Sequence, residues 1–293
     1  MDAHHEHGHQ GDMKHQIADE WRAYWQQQSD IPAWDYTSQI VLEALWRAGG
    51  SFSGRTVLEA GCGTGRISLA LAREGARVSC LDVSVEAVQY ARALFAEAGV
   101  PAHLSLASLF AIPFPAGQFD VVWNAGVLEH FSKAERVEAL RELLRVIAPG
   151  GVLITLNPYR FALLYRLGKW LAERLGKWPY GHEDPIATLR QASRGLPCAT
   201  QPEFSTGCFV ILVESLRAVR WLSPVVRRLR NLLIRAHRSR WGGIVRTCDR
   251  IGSRLVGGYL LVSVFRKTGD LPMDGEDARG EAVGAFLNRA GDG

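Results

Sequence analysis

The sequence predicts an α/β fold built on a parallel sheet. Between Arg55 and Pro158, short apolar segments typical of strands alternate with segments of helical periodicity. A glycine-rich turn follows the first predicted strand, Thr56–Ala60, and an acidic residue ends the second. Strands that alternate with helices form right-handed βαβ units, so the strands should run parallel and helices should cover both faces of the sheet.

The same periodicities give each element in order. After the glycine turn, the pattern predicts a helix at 66–73, a strand at 76–81, a helix at 85–98, a strand at 119–123, a helix at 135–147 and a strand at 151–156. Beyond residue 158 it predicts helices at 159–175 and 185–193, a short strand within 198–206, a mainly helical stretch at 209–255 and a strand at Tyr259–Phe265.

Composition places the chain among globular proteins with reduced thiols. Apolar residues make up 47% of the chain and charged residues 22%, which is an ordinary globular balance. The 5 cysteines are scattered and form no CxxC pair, so a disulfide framework is not expected. No apolar run approaches the roughly 18 residues of a membrane span, and the polar start does not resemble a secretory signal. We therefore expect a cytoplasmic protein.

The glycine turn has the features of a nucleoside-binding loop. Gly61, Gly63 and Gly65 follow the first strand and precede a helix, and Glu59 lies two residues before the first glycine. Glycines permit positive φ and close approach of a ligand. A dinucleotide-binding turn carries a glycine where this chain has Arg66. An acid at Glu59 would repel a pyrophosphate, but it suits a ligand with a cationic amino-acid group.

Asp82 is the second candidate of this region. It ends the second predicted strand, 17 residues after Gly65. A carboxylate at that position can accept both hydroxyls of a ribose, in NAD as well as in S-adenosylmethionine. The alternative is an acid that stabilises the N-terminus of the helix beginning at Val85.

Together with two later segments, these residues resemble class I S-adenosylmethionine-dependent methyltransferases. The four segments that carry the resemblance are in the family's order and spacing: Glu59–Gly65, Asp82, Phe119–Ala125 with Leu128–His130, and Leu144–Leu153. The resemblance covers roughly residues 50–158. It implies a Rossmann-like three-layer sandwich with a seven-stranded, mostly parallel sheet, in which the last strand is antiparallel.

The resemblance also implies S-adenosylmethionine as the cofactor and assigns residues to it. The methionine part would be surrounded by Glu59, Gly61, Cys62, Gly63 and Gly65. Asp82 would hold the ribose, and Val83 would pack on the adenine. Ser108 and Leu109 would contact the adenine edge, and Asn124 and Ala125 would line the floor near the sulfonium. Ser108 departs from the aspartate usual in the family, so a charge-assisted bond is lost there.

Two histidines are candidate catalytic bases. His130 follows the strand that would face the methyl group, and an imidazole suits proton removal near neutral pH. Glu129 could orient it or bind a metal with it, as in some relatives, although no metal is predicted. His182 lies in a polar cluster, His182–Asp184. The alternatives are a histidine that only packs and a solvated turn.

Composition, periodicity and the resemblance together divide the chain into five predicted regions. They are a disordered His-rich leader at 1–16, a helical lid at 17–50, the cofactor-binding core at 51–158, a substrate-side region at 159–268 and a flexible tail at 269–293 with a short helix near 283–287. Trp25, Trp34 and Tyr36 either shield the sulfonium from the lid or serve as core contacts of the N-terminal helices.

A basic helical insert occupies about 209–256 within the substrate-side region. Between Arg217 and Arg254 there are 11 arginines and 1 acid, Asp249, with Trp221 and Trp241 near the ends of the densest part. This pattern suits an anionic membrane surface or a lipid-like substrate. An acidic partner, a nucleic acid, or an ordinary amphipathic helix with a solvated basic face are the alternatives.

The prediction is therefore methyl transfer to a small-molecule acceptor that is hydrophobic or lipid-linked. The resemblance to this family, and no residue of the chain, favours oxygen as the methylated atom over nitrogen, sulfur or carbon. A non-catalytic protein that binds S-adenosylmethionine and an NAD-dependent oxidoreductase are the alternatives. The protein could be peripheral to the inner face of a membrane, and the sequence indicates neither the acceptor nor the oligomeric state.

Overall fold

A computed structural model describes residues 17–27, 34–176, 178, 180–210, 223–240 and 242–269. The predicted leader at 1–16 and nearly all of the predicted tail, with its short helix, lie outside the described residues. So do residues 211–222 and 241 of the predicted insert, including Trp221 and Trp241.

The described residues form one mixed sheet. Its strands are β1 (Thr56–Ala60), β2 (Arg77–Asp82), β3 (His103–Leu106), β4 (Phe119–Ala125), β5 (Ile147–Pro158), β6 (Cys198–Thr200), β7 (Phe204–Thr206) and β8 (Leu260–Lys267). The order across the sheet is β3-β2-β1-β4-β5-β8-β6, and β7 also pairs with β8. Strands β1 to β5 are parallel, and β8 is antiparallel to β5. The Rossmann-like fold and the antiparallel last strand are thus confirmed.

The short strands β6 and β7 share one edge position. β6 pairs with the end of β8 at Lys267, and β7 pairs with its start at Leu260. The sheet therefore has eight strands in seven positions, where the sequence predicted seven strands.

Helices cover both faces of the sheet. They are α1 (the described residues 17–26), α2 (Tyr36–Gly49), α3 (Arg66–Arg73), α4 (Val85–Ala98), α5 (Lys133–Arg145), α6 (Leu163–Arg174), α7 (Ser223–Arg238) and α8 (Gly242–Val256). A single 3-10 turn, Leu128–His130, follows β4. One core cluster lies between the sheet and α5, and another packs α2 and α3 against the opposite face.

Local sequence explains where several helices begin. Ser84 accepts from the N–H of Ala87 at the start of α4, and Ser132 and Glu135 form a capping box at the start of α5. α3 follows Gly65, whose φ is 67°. The predicted bounds of α3 and α4 are confirmed.

Several parts of the sequence prediction differ from the structure. The helix predicted at 135–147 spans Lys133–Arg145, because Ile147 already begins β5. The strand β3 was not predicted, because His103–Leu106 spans only 4 residues at the sheet edge and none of them is buried. The predicted helix at 185–193 is wrong, since this segment consists of turns and a bridge between Tyr159 and Ile186. α6 begins at Leu163 instead of Tyr159, because β5 extends to Pro158.

Candidate active site

The glycine turn is fastened to the end of β2 through its backbone. The N–H groups of Gly61 and Cys62 both donate to the carbonyl oxygen of Leu81, at 2.8 and 3.0 Å. Gly61, Gly63 and Gly65 all have positive φ, which L side chains rarely adopt. A Cβ at Gly61 would also lie 2.7 Å from Cγ2 of Val127. The turn therefore depends on glycine for its backbone conformation and for space.

Asp82 holds this turn from the tip of β2. Its carboxylate is buried and accepts from the N–H of Gly63 at 2.8 Å and from the N–H of Ser84 at 3.0 Å. Burial raises the pKa of Asp82, and the backbone N–H donors partly oppose that rise. A carboxylate has about four lone-pair sites, so Asp82 keeps acceptor capacity for a ribose hydroxyl. The geometry fits the predicted ribose role and adds a second role, holding the loop.

Glu59 is a buried acid with an unpaired oxygen. It lies near the end of β1, and its Oε2 has no hydrogen-bond partner among the described residues. Burial is the main cause that raises the pKa of Glu59 to about 8. A ligand ammonium would supply the missing partner, which agrees with the predicted position of the methionine group.

The predicted adenine contacts lie beside β2 and after β3. Val83 is half-buried and Leu109 is buried. The hydroxyl of Ser108 accepts from the N–H of Phe110 at 3.2 Å. This bond stabilises the turn after Ala107, so Ser108 has a structural role in addition to any contact with the adenine.

A row of buried polar side chains lies at the carboxyl ends of β4 and β5. Asn124 of β4 pairs in register with Thr155 of β5, and Asn157 lies two residues further along β5 on the same face. The amide atoms of both asparagines and the hydroxyl of Thr155 are buried and lack partners among the described residues. Buried polar groups are normally paired, so a ligand or water is expected there. Ala125, the last residue of β4, is half-buried beside this row.

The sequence analysis missed Thr155 and Asn157. Their signal is the alternation in Ile154–Pro158, where polar residues interrupt an otherwise apolar buried strand. Such an interruption in a strand that is buried on both faces would have marked them.

His130 has a fixed orientation. It is buried, and its Nδ1 lies 2.8 Å from the carbonyl oxygen of His182. A carbonyl can only accept, so Nδ1 carries the proton and Nε2 keeps its lone pair. Nε2 lies 3.9 Å from Oε1 of Glu129, beyond hydrogen-bond distance. Burial lowers the pKa of His130, which favours the neutral imidazole.

His182 therefore contacts His130 through its backbone carbonyl and not through its imidazole ring. The ring of His182 is exposed, while its carbonyl accepts from His130. The segment is held in place by Arg136, which donates to the carbonyl of Leu128 at 2.9 Å and pairs with Asp184 at 3.1 Å.

Glu129 and Glu183 extend this polar cluster. Ligand atoms of Glu129, His130 and Glu183 all lie within 4.8 Å of one another, a spacing that a divalent ion also accepts. Glu183 already accepts from the Tyr165 hydroxyl at 2.6 Å and from Lys169 at 2.9 Å. Burial, followed by the nearby Glu183 carboxylate, raises the pKa of Glu129 well above its usual range.

Aromatic side chains from α1 and from the segment after α6 surround His130. The Trp21 ring lies edge-on to the His130 ring at 5.3 Å between centroids, and the Tyr24 and Tyr180 rings are 5.6 Å apart. Trp178 contacts Tyr180 at 5.3 Å. The result is a largely apolar wall that reaches the His130 ring through Trp21.

The three aromatic residues predicted for the lid have different positions. Trp25 lies over the glycine turn, since a Cβ at Gly63 would be 2.9 Å from its Cζ2. Trp34 donates to Gln39 at 3.3 Å, and Tyr36 is fully buried in a core cluster. The α1 contact with Gly63 is the geometry of a lid, whereas Tyr36 is a core residue.

Comparison with known proteins agrees with the family that the motifs resemble. The family model described as a methyltransferase domain matches residues 57–151. The ubiquinone biosynthesis O-methyltransferase of Bordetella avium (strain 197N) is 25% identical over 189 residues, which is 63% of this chain and 78% of that protein. That of Xanthomonas axonopodis pv. citri (strain 306) is 34% identical over 146 residues, 48% of this chain and 60% of its own.

Among solved structures, magnesium protoporphyrin IX methyltransferase from Synechocystis PCC 6803 with bound SAH has a TM-score of 0.51. It is 17% identical and covers 85% of this chain and 93% of its own. This likeness supports the fold.

Proposed function

We propose that this protein uses S-adenosylmethionine to O-methylate a small, apolar or lipid-linked acceptor, because its residues 57–151 match the model of a methyltransferase domain. The cofactor supplies a methyl group bonded to a sulfonium, which is already a good electrophile. The protein's task is therefore to align the acceptor, exclude water and receive the acceptor's proton.

His130 is the proposed base. Its Nδ1 is tied to the His182 carbonyl, so its Nε2 lone pair is the atom available to an acceptor hydroxyl. With S-adenosylmethionine bound, Nε2 would take the hydroxyl proton while the methyl group passed from the sulfonium sulfur to the acceptor oxygen. The products are a methyl ether and S-adenosylhomocysteine. The fixed orientation of this buried ring is the observation that carries the proposal.

The surroundings of His130 support an apolar acceptor. Trp21, Tyr24, Trp178 and Tyr180 form an aromatic wall that suits an apolar or aromatic body better than a charged one. The ubiquinone biosynthesis O-methyltransferases to which the chain is similar are named as O-methyltransferases, which agrees with oxygen as the acceptor atom.

The proposed cofactor contacts follow from the geometry of the glycine turn. Glu59 would receive the ammonium, the glycine turn with Cys62 would enclose the methionine chain, and Asp82 would bind the ribose. Val83, Ser108 and Leu109 would hold the adenine. Asn124 and Ala125 would lie below the sulfonium.

We also propose that the basic surface of α7 and α8 meets an anionic membrane or a lipid-like substrate. Six of its arginines are exposed: Arg228, Arg235, Arg240, Arg246, Arg250 and Arg254. Leu233 and Ile234 of α7 pack near Tyr36 and Ile40, so α7 has one face on the protein. No helix among the described residues is long and apolar enough to cross a membrane.

Substitution of His130 tests the base. His130→Asn should lower methyl transfer to phenolic lipid extracts at least 100-fold while leaving the affinity for S-adenosylmethionine within about threefold. Transfer is measured by mass-spectrometric detection of the methylated product, and affinity by calorimetry. Because His182 contributes a carbonyl, His182→Ala should retain most of the activity. Equal loss in both variants would show that the His182 ring is also needed.

Metal removal separates the base from its alternative. If His130 acts as a base, prolonged chelation should leave methyl transfer unchanged. A loss that Mg²⁺, Mn²⁺ or Zn²⁺ restores would instead assign Glu129, His130 and Glu183 to a metal. A protein that binds S-adenosylmethionine but yields no product with any extract would support the non-catalytic alternative.

A further inference from the structure

The helix α6 has an inverted distribution of side chains. The residues that it buries include two small ones, Gly168 and Ala172, together with Tyr165. Its large apolar residues point outward instead, with Leu163 at 66% and Leu167 at 61% exposure. The exposed apolar set of this segment is Phe161, Leu163, Leu164, Leu167, Trp170, Leu171 and Leu175. An ordinary amphipathic helix buries such residues.

The helix α8 shows the same inversion. It buries Gly242, Asp249 and Ser253. Asp249 accepts from the hydroxyl of Thr206 and from the N–H of Gly207, so this buried acid is paired. The exposed apolar side chains of α8 are Ile244, Ile251, Leu255 and Val256, and Leu255 reaches 79% exposure.

The C-terminal end of α8 adjoins the start of α6 through their backbones. A Cβ at Gly257, directly after α8, would lie 2.5 Å from the carbonyl oxygen of Phe161. Leu255 and Val256 therefore lie close to Phe161, which precedes α6. We call the outward apolar residues of these two helices, together with Phe161, the α6–α8 surface. So many large apolar side chains exposed on two adjoining helices mark an interaction site.

Basic residues border the α6–α8 surface. Arg160, Arg166 and Arg174 are exposed along α6, and Arg250 and Arg254 are exposed along α8. The guanidinium of Arg174 lies 5.2 Å from the centroid of the exposed Trp170 ring. The combination of outward aliphatic residues, a tryptophan and arginines is that of a helix lying in the interface of an anionic bilayer. A second copy of the chain docked by two-fold symmetry would bring these arginines against their own equivalents.

The opposite face of α6 contacts the candidate active site. Tyr165 donates to Glu183 at 2.6 Å, and Lys169 donates to the same carboxylate at 2.9 Å. Glu183 belongs to the cluster with His130. One helix therefore separates the α6–α8 surface from the polar cluster beside the proposed base. We propose that the α6–α8 surface docks on an anionic membrane and opens the acceptor site toward the lipid. The access route rests on the proposed lipid-linked acceptor, whereas docking itself does not.

Vesicle flotation with the full chain tests this docking. The protein should float with vesicles of phosphatidylcholine and phosphatidylglycerol, and much less with phosphatidylcholine alone. Leu163→Gln/Leu167→Gln should weaken vesicle binding at least tenfold, because it removes two exposed apolar side chains without changing charge. Glutamine is a good helix former, so α6 should persist.

A matched control replaces two exposed apolar side chains at the opposite edge of the sheet, where β3 lies. Val85→Gln/Leu106→Gln alters side chains that are 41% and 39% exposed beside β2 and β3, and its vesicle binding should equal that of the wild type. Unchanged calorimetric binding of S-adenosylmethionine by the α6 variant would show that it is folded.

Three results would overturn the inference. They are a wild type that does not float, an α6 variant that floats as well as the wild type, and a dimer in solution that the α6 variant converts to a monomer without any vesicle binding. Failure of the proposed methyl transfer would look different, because the His130 variants are assayed for methyl transfer and flotation needs no turnover.

Discussion

A carboxylate loses much of its hydration when it is buried, and something must compensate for that loss. In Glu59 the compensation is incomplete, because Oε2 has no partner among the described residues. Its raised pKa, about 8, shows that the ligand-free fold favours the protonated acid. An ammonium group from a ligand would reverse that preference. A residue that destabilises the free protein and binds the ligand is typical of functional sites.

Glu59→Gln should therefore weaken ligand binding and stabilise the free protein. Since the pKa of Glu59 in the folded protein, about 8, lies above the ordinary glutamate value of 4.5, the wild type loses stability as pH rises between those values. A neutral glutamine does not titrate, so the variant should gain roughly 1–4 kcal/mol over the wild type at pH 9. Urea unfolding at pH 5 and pH 9 measures this gain. Calorimetry should show at least tenfold weaker S-adenosylmethionine binding, and equal affinity would contradict the role of Glu59.

Asp82 and Asp120 form a natural comparison at the same scale. Asp82 accepts from Gly63 and Ser84 near the carboxyl ends of the strands, whereas Asp120 accepts from the N–H and hydroxyl of Thr56 at their amino ends. Asp82→Asn should weaken S-adenosylmethionine binding at least tenfold. Asp120→Asn should lower the free energy of unfolding by about 1 kcal/mol and leave that affinity unchanged. An Asp82 variant that binds normally would remove the ribose role.

At the scale of elements, α1 joins the glycine turn to the acceptor side. Trp25 covers Gly63, while Trp21 from the same helix contacts the ring of His130. Gln26 donates to Glu86 of α4 at 2.9 Å, which ties the end of α1 to the core. When α1 closes over the cofactor, it therefore also completes the wall of the acceptor site.

Removal of Trp25 tests this lid. Trp25→Ala should weaken S-adenosylmethionine binding by about fivefold to tenfold, because the ring no longer shields the glycine turn. Fluorescence titration or calorimetry gives the affinity. Trp46→Ala is the matched control, since Trp46 lies in α2, bonded to Glu74, and away from the glycine turn. If both variants bind alike, α1 has no lid function.

Elements with strong local signals were predictable from the sequence, and those set by tertiary contacts were not. The glycine turn with α3 and α4 follows from local periodicity and caps, and its predicted bounds match the structure. The direction of the α6 faces depends on which neighbours cover them, so periodicity alone could not reveal that Gly168 faces inward and Leu167 outward. The hydrogen bond between His130 and the carbonyl of His182 joins residues that are 52 apart in the sequence, so no local motif could predict it.

At the scale of the whole molecule, strand order locates the ligand. The order β3-β2-β1-β4-β5 reverses direction between β1 and β4, and the glycine turn, Asp82 and Asn124 all lie at the carboxyl ends of these strands. Open parallel sheets bind ligands at this switch point, whichever nucleoside they use. The fold alone therefore does not separate S-adenosylmethionine from NAD. Arg66, which pairs with Asp35 at 3.2 Å where a dinucleotide turn has glycine, argues against NAD.

Thermal unfolding of the whole chain makes that choice measurable. A ligand that binds only the folded state adds about 2.7 kcal/mol at a concentration 100 times its Kd. For a domain of this size each kcal/mol shifts the Tm by roughly 2–4 °C, so S-adenosylmethionine and S-adenosylhomocysteine should each raise it by about 5–10 °C. NAD at the same concentration should leave the Tm unchanged, because Glu59 would face a pyrophosphate. A rise with NAD and none with S-adenosylmethionine would overturn the cofactor assignment and, with it, the methyl-transfer mechanism.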